Sequence, residues 1–309
     1  MTHRRETTVK PRISIVIAVV AAFGLLPSVS GAATSVTIAN ATQSGSSLSI
    51  SGTSTFDNAP FTAIGTDGTG DTFVPEFGAI GGDMTAAQIS TTTNGDLQFR
   101  WVVTELLPAP ADGSPTGVIY AWDFCVDDET CFEIDGGRNG LSAGVVGPYA
   151  SLWGCATSAC DPGGQTFLND GFAAAMSAAT NSFTVTLPAG TISAAPGSTI
   201  SGASGWSVEG PVFTDVGDGG FFPVFDVGDG VSTVDEYTVP GKQVSLAIAA
   251  PGLDPAAVSY TKTVVPSGGG SFAAILSTSE LAPGDYSVYA RACLGAGNCG
   301  YGTRAVTIV

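Results

Sequence analysis

The side chains able to do chemistry in this chain are acidic or aromatic, and almost none is basic. The only histidine is His3. A Ser-His-Asp triad, a Cys-His dyad and a histidine-ligated zinc site all need that ring, so none can be built in the body of the chain. Lys242 and Lys262 keep a Ser-Lys pair formally open. Lys242 reads as a turn residue and Lys262 as part of an alternating strand, and neither is matched to a specific serine. No Walker-type loop or dinucleotide fingerprint is present. The acids have two other uses. Two carboxylates about 5–10 Å apart in a cleft hydrolyse a glycoside. Clustered carboxylates bind calcium through their oxygens.

Three acidic clusters stand out: Asp67, Asp71 and Asp83; Asp127, Asp128 and Glu129; and Asp215, Asp218, Asp226 and Asp229. None has the spacing of an EF-hand loop. Asp beside Gly also marks turns, because Asp bonds its own backbone and Gly accepts positive φ. The aromatic residues offer stacking surfaces for sugar rings. Trp101 and Trp122 alternate with apolar neighbours and read as core. Trp153 follows Tyr149 in a Gly-rich stretch just before Cys155, and Trp206 sits in Ser204-Gly-Trp-Ser207. Both are expected either as exposed rings or as loop anchors. A glycan site, if built, falls on Tyr149 and Trp153.

The context of these residues starts with residues 1–33. Arg4, Arg5, Lys10 and Arg12 precede an apolar run from Ile13 to Leu26, which Pro27 and the small residues Ser28 to Ala33 follow. A basic region, a short apolar core and a small-residue exit make up a secretory signal. A helix over that run reaches about 21 Å, short of a bilayer core of about 30 Å. Ser30 with Ala32, or Gly31 with Ala33, fits a cleavage site. The alternative is an uncleaved anchor. No second apolar run nears eighteen residues, so no transmembrane segment is expected after signal removal. The mature chain is expected outside the cell, secreted or at its surface.

Of ten basic and 27 acidic residues, four basic ones and Glu6 lie in this segment, leaving six and 26, a net charge of −20. That excludes nucleic acid and anionic membrane as partners, since both need cationic surface. Six cysteines fall into close pairs: Cys125 with Cys131, Cys155 with Cys160, and Cys293 with Cys299. Six cysteines allow fifteen pairings. Proximity favours local disulfides, and an oxidising compartment favours disulfides over metal sites.

The apolar residues come in short alternating runs. Leu97, Phe99, Trp101 and Val103 share one strand face; Val118, Tyr120, Trp122, Phe124 and Val126 share another, as do Phe183, Val185 and Leu187. Alternation with Gly, Asn, Asp and Pro between runs predicts antiparallel strands with one buried face. The one helical expectation is Gly171–Ala179. The fold class is therefore all-β, as two antiparallel β-sandwiches. The first is expected over residues 34–210, a Gly/Asp-rich joint over 211–236, and a smaller immunoglobulin-like sandwich over 237–309. In that second sandwich strands are expected at Gln243–Ala249, Ala257–Val265, Ser271–Leu276, Asp285–Cys293 and Arg304–Val309. Leu281-Ala-Pro-Gly-Asp-Tyr286 delivers Tyr286 to a strand start, with Tyr286, Val288 and Ala290 facing inward.

Asp67-Gly-Thr-Gly-Asp71, Gly82-Asp83, Ala86 to Thr91 and Asp96-Leu-Gln-Phe-Arg-Trp101 resemble the start of a DOMON-like domain. Asn181 to Pro188 and Ala195-Pro-Gly197 resemble the late strands of that group, which is related to sugar-binding modules of glycoside hydrolases. The resemblance implies sugar, haem or calcium as ligand. Haem binding in that group uses axial Met and His, so it is not carried over to a mature chain without histidine. The calcium candidate is Asp67, Asp71 and Asp83, where the resemblance falls. The second domain resembles the immunoglobulin-like repeats of bacterial surface proteins, which act as spacers or adhesion modules. The expected function is non-catalytic binding of an extracellular polysaccharide or a cell-surface protein. The alternatives are a structural or adhesion spacer and a carboxylate-pair glycan hydrolase.

Overall fold

The strands form where the alternation places them, and the turn residues separate them. The computed structural model describes residues 33–67, 83–104, 106, 116–138, 148–157, 160, 164–211, 227–232, 235–295 and 299–309. The expected signal and most of the Gly/Asp-rich joint lie outside these residues. Along the chain come β1 (Ser35–Ser44), β2 (Ser47–Thr55), β3 (Thr62–Thr66), β4 (Met84–Thr91), β5 (Leu97–Val103) and β6 (Thr116–Val126). Next are β7 (Thr130–Arg138), β8 (Pro148–Cys155), β9 (Gln165–Asp170), β10 (Ala173–Ser177), β11 (Ser182–Leu187), β12 (Thr199–Pro211) and β13 (Val227–Ser232). The last are β14 (Tyr237–Thr238), β15 (Lys242–Ala249), β16 (Lys262–Val264), β17 (Ser271–Ser277), β18 (Gly284–Leu294) and β19 (Cys299–Ile308). Every pairing is antiparallel. No helix among the described residues is long and apolar enough to cross a membrane.

The strands build two sandwiches. One packs the sheet β10-β11-β5-β4-β3 against the sheet β13-β12-β6-β7-β8-β9, with β14 also on β12. Its core is aromatic. Phe99 and Trp101 from β5, Tyr120, Trp122 and Phe124 from β6, and Phe183 from β11 are fully buried. Trp101 and Trp122 meet edge to face at 5.4 Å, and Tyr120 stacks on Phe183 at 5.1 Å. The Trp101 indole N–H donates to the Ala121 carbonyl at 3.0 Å, so the ring buries no unpaired donor.

The other sandwich packs β1-β2-β17 against β16-β15-β18-β19. Its core joins Val36, Ile38, Leu48 and Ile50 of the first hairpin to Val244, Leu246, Phe272, Val288 and Ala290. This differs from the expected boundaries of 34–210 and 237–309. By pairing and by core, residues 35–55 belong with the C-terminal strands, so the aromatic sandwich is inserted between β2 and β15. Alternation marks which face of a strand is buried but not which strand pairs with it.

On the far edge of this sandwich β1 lies beside β19. A Cβ on Gly300 would overlap the Thr34 carbonyl oxygen, and one on Gly302 the Val36 carbonyl oxygen. Arg304 donates to the carbonyls of Ile38 and Ala39, and Val309 N donates to Gln43 Oε1 at 3.0 Å.

Two further expectations change. Residues 171–179 are not helical: Ala173–Ser177 is an edge strand on β11. The helix preference of alanine is a few tenths of a kcal/mol per residue, and an available sheet edge overrides it. The strand expected at Ala257–Val265 shrinks to Lys262–Val264, because Pro255–Ala257 turns in a 3-10 helix capped by Asp254. Tyr289 of β18 ties this segment down, accepting from Leu253 N and donating to the Ala250 carbonyl. Val288 and Ala290 face inward as expected, while Tyr286 is half-buried and donates to the Ala282 carbonyl at 3.1 Å.

Candidate functional site

The pleat sends alternate side chains of β8 in opposite directions. Ala150 and Leu152 enter the aromatic core, while Tyr149, Ser151 and Trp153 lie on the outer face and are half-buried. On β7, Phe132 and Ile134 point inward, which puts Glu133 and Asp135 on the same outer face. The ladder sets Glu133 opposite Trp153 and Asp135 opposite Ser151. β6 adds Asp123, opposite Glu133. From β9 come Gln165, and Phe167 opposite Trp153. Trp206 of β12 is in register with Ala121; its side chain lies outside the described residues.

Trp153 is held on two sides. Its indole N–H donates to Asp135 Oδ1 at 3.1 Å, and its ring meets Phe167 edge to face at 5.2 Å. Phe167 is itself 50% exposed. Burial raises the Asp135 carboxyl above the usual carboxylate range, against hydrogen bonds from Trp153 and Ser151 that favour its charge. Burial and the Asp135 charge together push the Tyr149 phenol up to about 12.

Asp123 and Glu133 are each only 8% exposed. The Glu133 carboxyl is pushed up to about 8, first by burial, then by its hydrogen bond with Asp123 and the charges of Asp123 and Asp135. Gln165 opposes this by donating to Glu133 Oε2 at 2.9 Å, and the same nitrogen donates to the Cys160 carbonyl at 2.9 Å. Two carboxyls in hydrogen-bond contact are closer than the 5–5.5 Å that a retaining glycosidase leaves between its pair, and closer still than an inverting one needs.

The three expected disulfides form: Cys125–Cys131, Cys155–Cys160 and Cys293–Cys299. The first and third join directly opposed residues of adjacent strands. The second closes the loop after β8 beside Gln165.

The calcium candidate is not assembled among the described residues. Asp71 lies outside them. Asp83 is buried, accepting from the Thr104 hydroxyl at 2.6 Å through its carboxylate and from Thr104 N at 2.8 Å through its carbonyl. Asp67 N donates to the Thr85 carbonyl at 3.1 Å. No group of three acidic, cysteine or histidine side chains able to hold a metal occurs among the described residues. Asp127 and Asp128 take positive φ, 53° and 57°, in the β6–β7 turn, a conformation Asp tolerates better than most residues. Asp127 accepts from Thr199 N at 2.7 Å and from the Ser198 hydroxyl at 2.9 Å, and Asp128 accepts from the Ser201 hydroxyl. That turn latches the start of β12.

A depression of about 710 Å³ lies on the other sandwich, lined by Asn40, Thr42, Ser49, Ser51, Lys262 and Ile275 among others. No aromatic ring lines it among the described residues. The acids at 123, 133 and 135 and Gln165 are the residues that sequence reasoning missed. Two-residue alternation along β6 and β7 places all three acids on the face away from the core. Comparison with known proteins leaves the chain on its own features: no protein-family model matches it, and no curated protein does.

Proposed function

We propose that this is an exported, non-catalytic binding module that takes an uncharged extracellular glycan on the outer face of β7, β8 and β9. The observation that carries the reading is the pinned Trp153 ring. Asp135 holds one edge and Phe167 packs against it, yet the ring stays half-buried. A ring fixed before binding loses little freedom when a sugar stacks on it. Tyr149 lies on the same face four residues away, about 13 Å along the strand, with Ser151 between them. Asp135, Ser151 and Gln165 supply acceptors and donors for sugar hydroxyls. The surplus of carboxylates disfavours anionic polymers. The DOMON-like resemblance points to the same ligand class, and the three disulfides suit an oxidising, extracytoplasmic setting.

A glycan array probed with residues 34–309 tests this. The reading expects binding to neutral glycans that Trp153→Ala reduces at least tenfold. Array binding that survives Trp153→Ala removes the site, and no binding at all leaves the spacer role as the better account.

A further inference from the structure

Asp123 and Glu133 are directly opposed on β6 and β7, and the Cys125–Cys131 disulfide fixes that register two residues away. Both residues are buried. Among the described side chains, the groups around them are acidic or neutral. On β7 the next outward residue is Asp135. From β8 come Trp153, Ser151 and Tyr149; from β9, Gln165 and, farther along, Asp170 opposite Ser151; β12 pairs with β6 here, and its side chains from 202 on lie outside the described residues. Among the described residues, no cation contributes to the balance at Glu133. Two buried carboxylates in contact repel strongly when both are charged, and the pair relieves this by keeping one proton between them.

We propose that Asp123 and Glu133 share one proton across the β6–β7 ladder, and that this proton locks the outer face of the sheet. With the proton in place, Glu133 stays against Asp123, accepts from Gln165, and through Gln165 is tied to the Cys160 carbonyl in the disulfide loop. When the proton leaves, the two anions push apart and Glu133 turns toward water, releasing Gln165 and loosening its cross-strand neighbour Trp153. This device is independent of any glycan bound on the face.

The direction follows from linkage. The unfolded chain loses the Glu133 proton near the ordinary value of 4.5, and the folded protein keeps it to about 8. Between those values the folded state holds one proton more. The stabilisation is complete below pH 4.5 and is lost as the pH rises through about 8.

The experiment uses residues 34–309 with ¹³C-labelled glutamate. The Glu133 carboxyl resonance, assigned by its loss in Glu133→Gln, is expected to titrate near pH 8, and Trp153 fluorescence to shift with the same midpoint. Thermal melts between pH 5 and pH 9 should show a fall in wild-type Tm of about 5 °C or more. That fall should shrink by at least half in Glu133→Gln and in Asp123→Asn, whose neutral amides keep the shape of the protonated pair. A Glu133 resonance titrating near 4.5 overturns the proposal. So do amide variants whose Tm falls as steeply as that of the wild type.

Discussion

Trp153 reaches across one rung of the β7–β8 ladder to Asp135, donating its indole N–H to Oδ1 at 3.1 Å. The pair couples the ring to the charge that also raises the Tyr149 phenol. Asp135→Ala should leave the fold intact, free the ring and red-shift its fluorescence. Glycan affinity should drop about tenfold, or about 1.4 kcal/mol. In Asp135→Asn the lost charge should let Tyr149 ionise at lower pH than in the wild type, read as phenolate absorbance in an alkaline titration.

The aromatic core fixes the sheet that carries this face. Trp101 is fully buried between Trp122, Tyr120 and Phe183. Trp101→Ala removes those contacts and leaves the Ala121 carbonyl without its donor. A loss of about 4 kcal/mol is expected from chemical denaturation.

Removing the Cys155–Cys160 bond by a double serine substitution acts differently. The loop is short, with a sequence separation of 5. The chain-entropy cost should be about 2 kcal/mol. The Cys160 carbonyl would also lose its fixed place, so Gln165 should hold Glu133 less firmly. Faster amide exchange on β9 than on β11 is the expected signature.

Much of this architecture is legible in the residues alone. Leu97 to Val103 and Phe183 to Leu187 announce their buried faces by alternation, and both are strands. Even the acid pair was within reach. If Cys125 and Cys131 are opposed on a hairpin, then Asp123 must face Glu133, and Ala121 must face Asp135. What could not be read was partner choice across long separations. Val36, Ile38, Leu48 and Ile50 show a hydrophobic face, but nothing local says that it packs on Val288 rather than on Phe99. The Ala-rich edge at 173–177 misled for a related reason. Its state is set by the strand beside it, not by its own preference.

The close approach of β1 and β19 makes a sharp test of the sandwich built from β1, β2 and β15 to β19. Gly300→Ala drives a methyl group into the Thr34 carbonyl oxygen, and backbone on both sides limits the room to yield. A cost of about 1–3 kcal/mol is expected. It should fall on that sandwich, with near-ultraviolet circular dichroism from the Trp101–Trp122 core retained until a higher temperature.

The insertion of one sandwich inside the other has a kinetic consequence. Ser54 donates to the Gly270 carbonyl across 216 residues of chain. Contacts that close such long loops form slowly. A chain emerging from its N-terminus presents the β1–β2 hairpin long before β17 exists to cover its edge. The aromatic sandwich has all of its strands by then and can act as the folding nucleus, drawing residues 55 and 242 together so that the late strands meet a hairpin already waiting beside them. Until that moment Leu48 and Ile50 sit on an open sheet edge, and this is the interval in which the protein is most exposed to strand-to-strand aggregation.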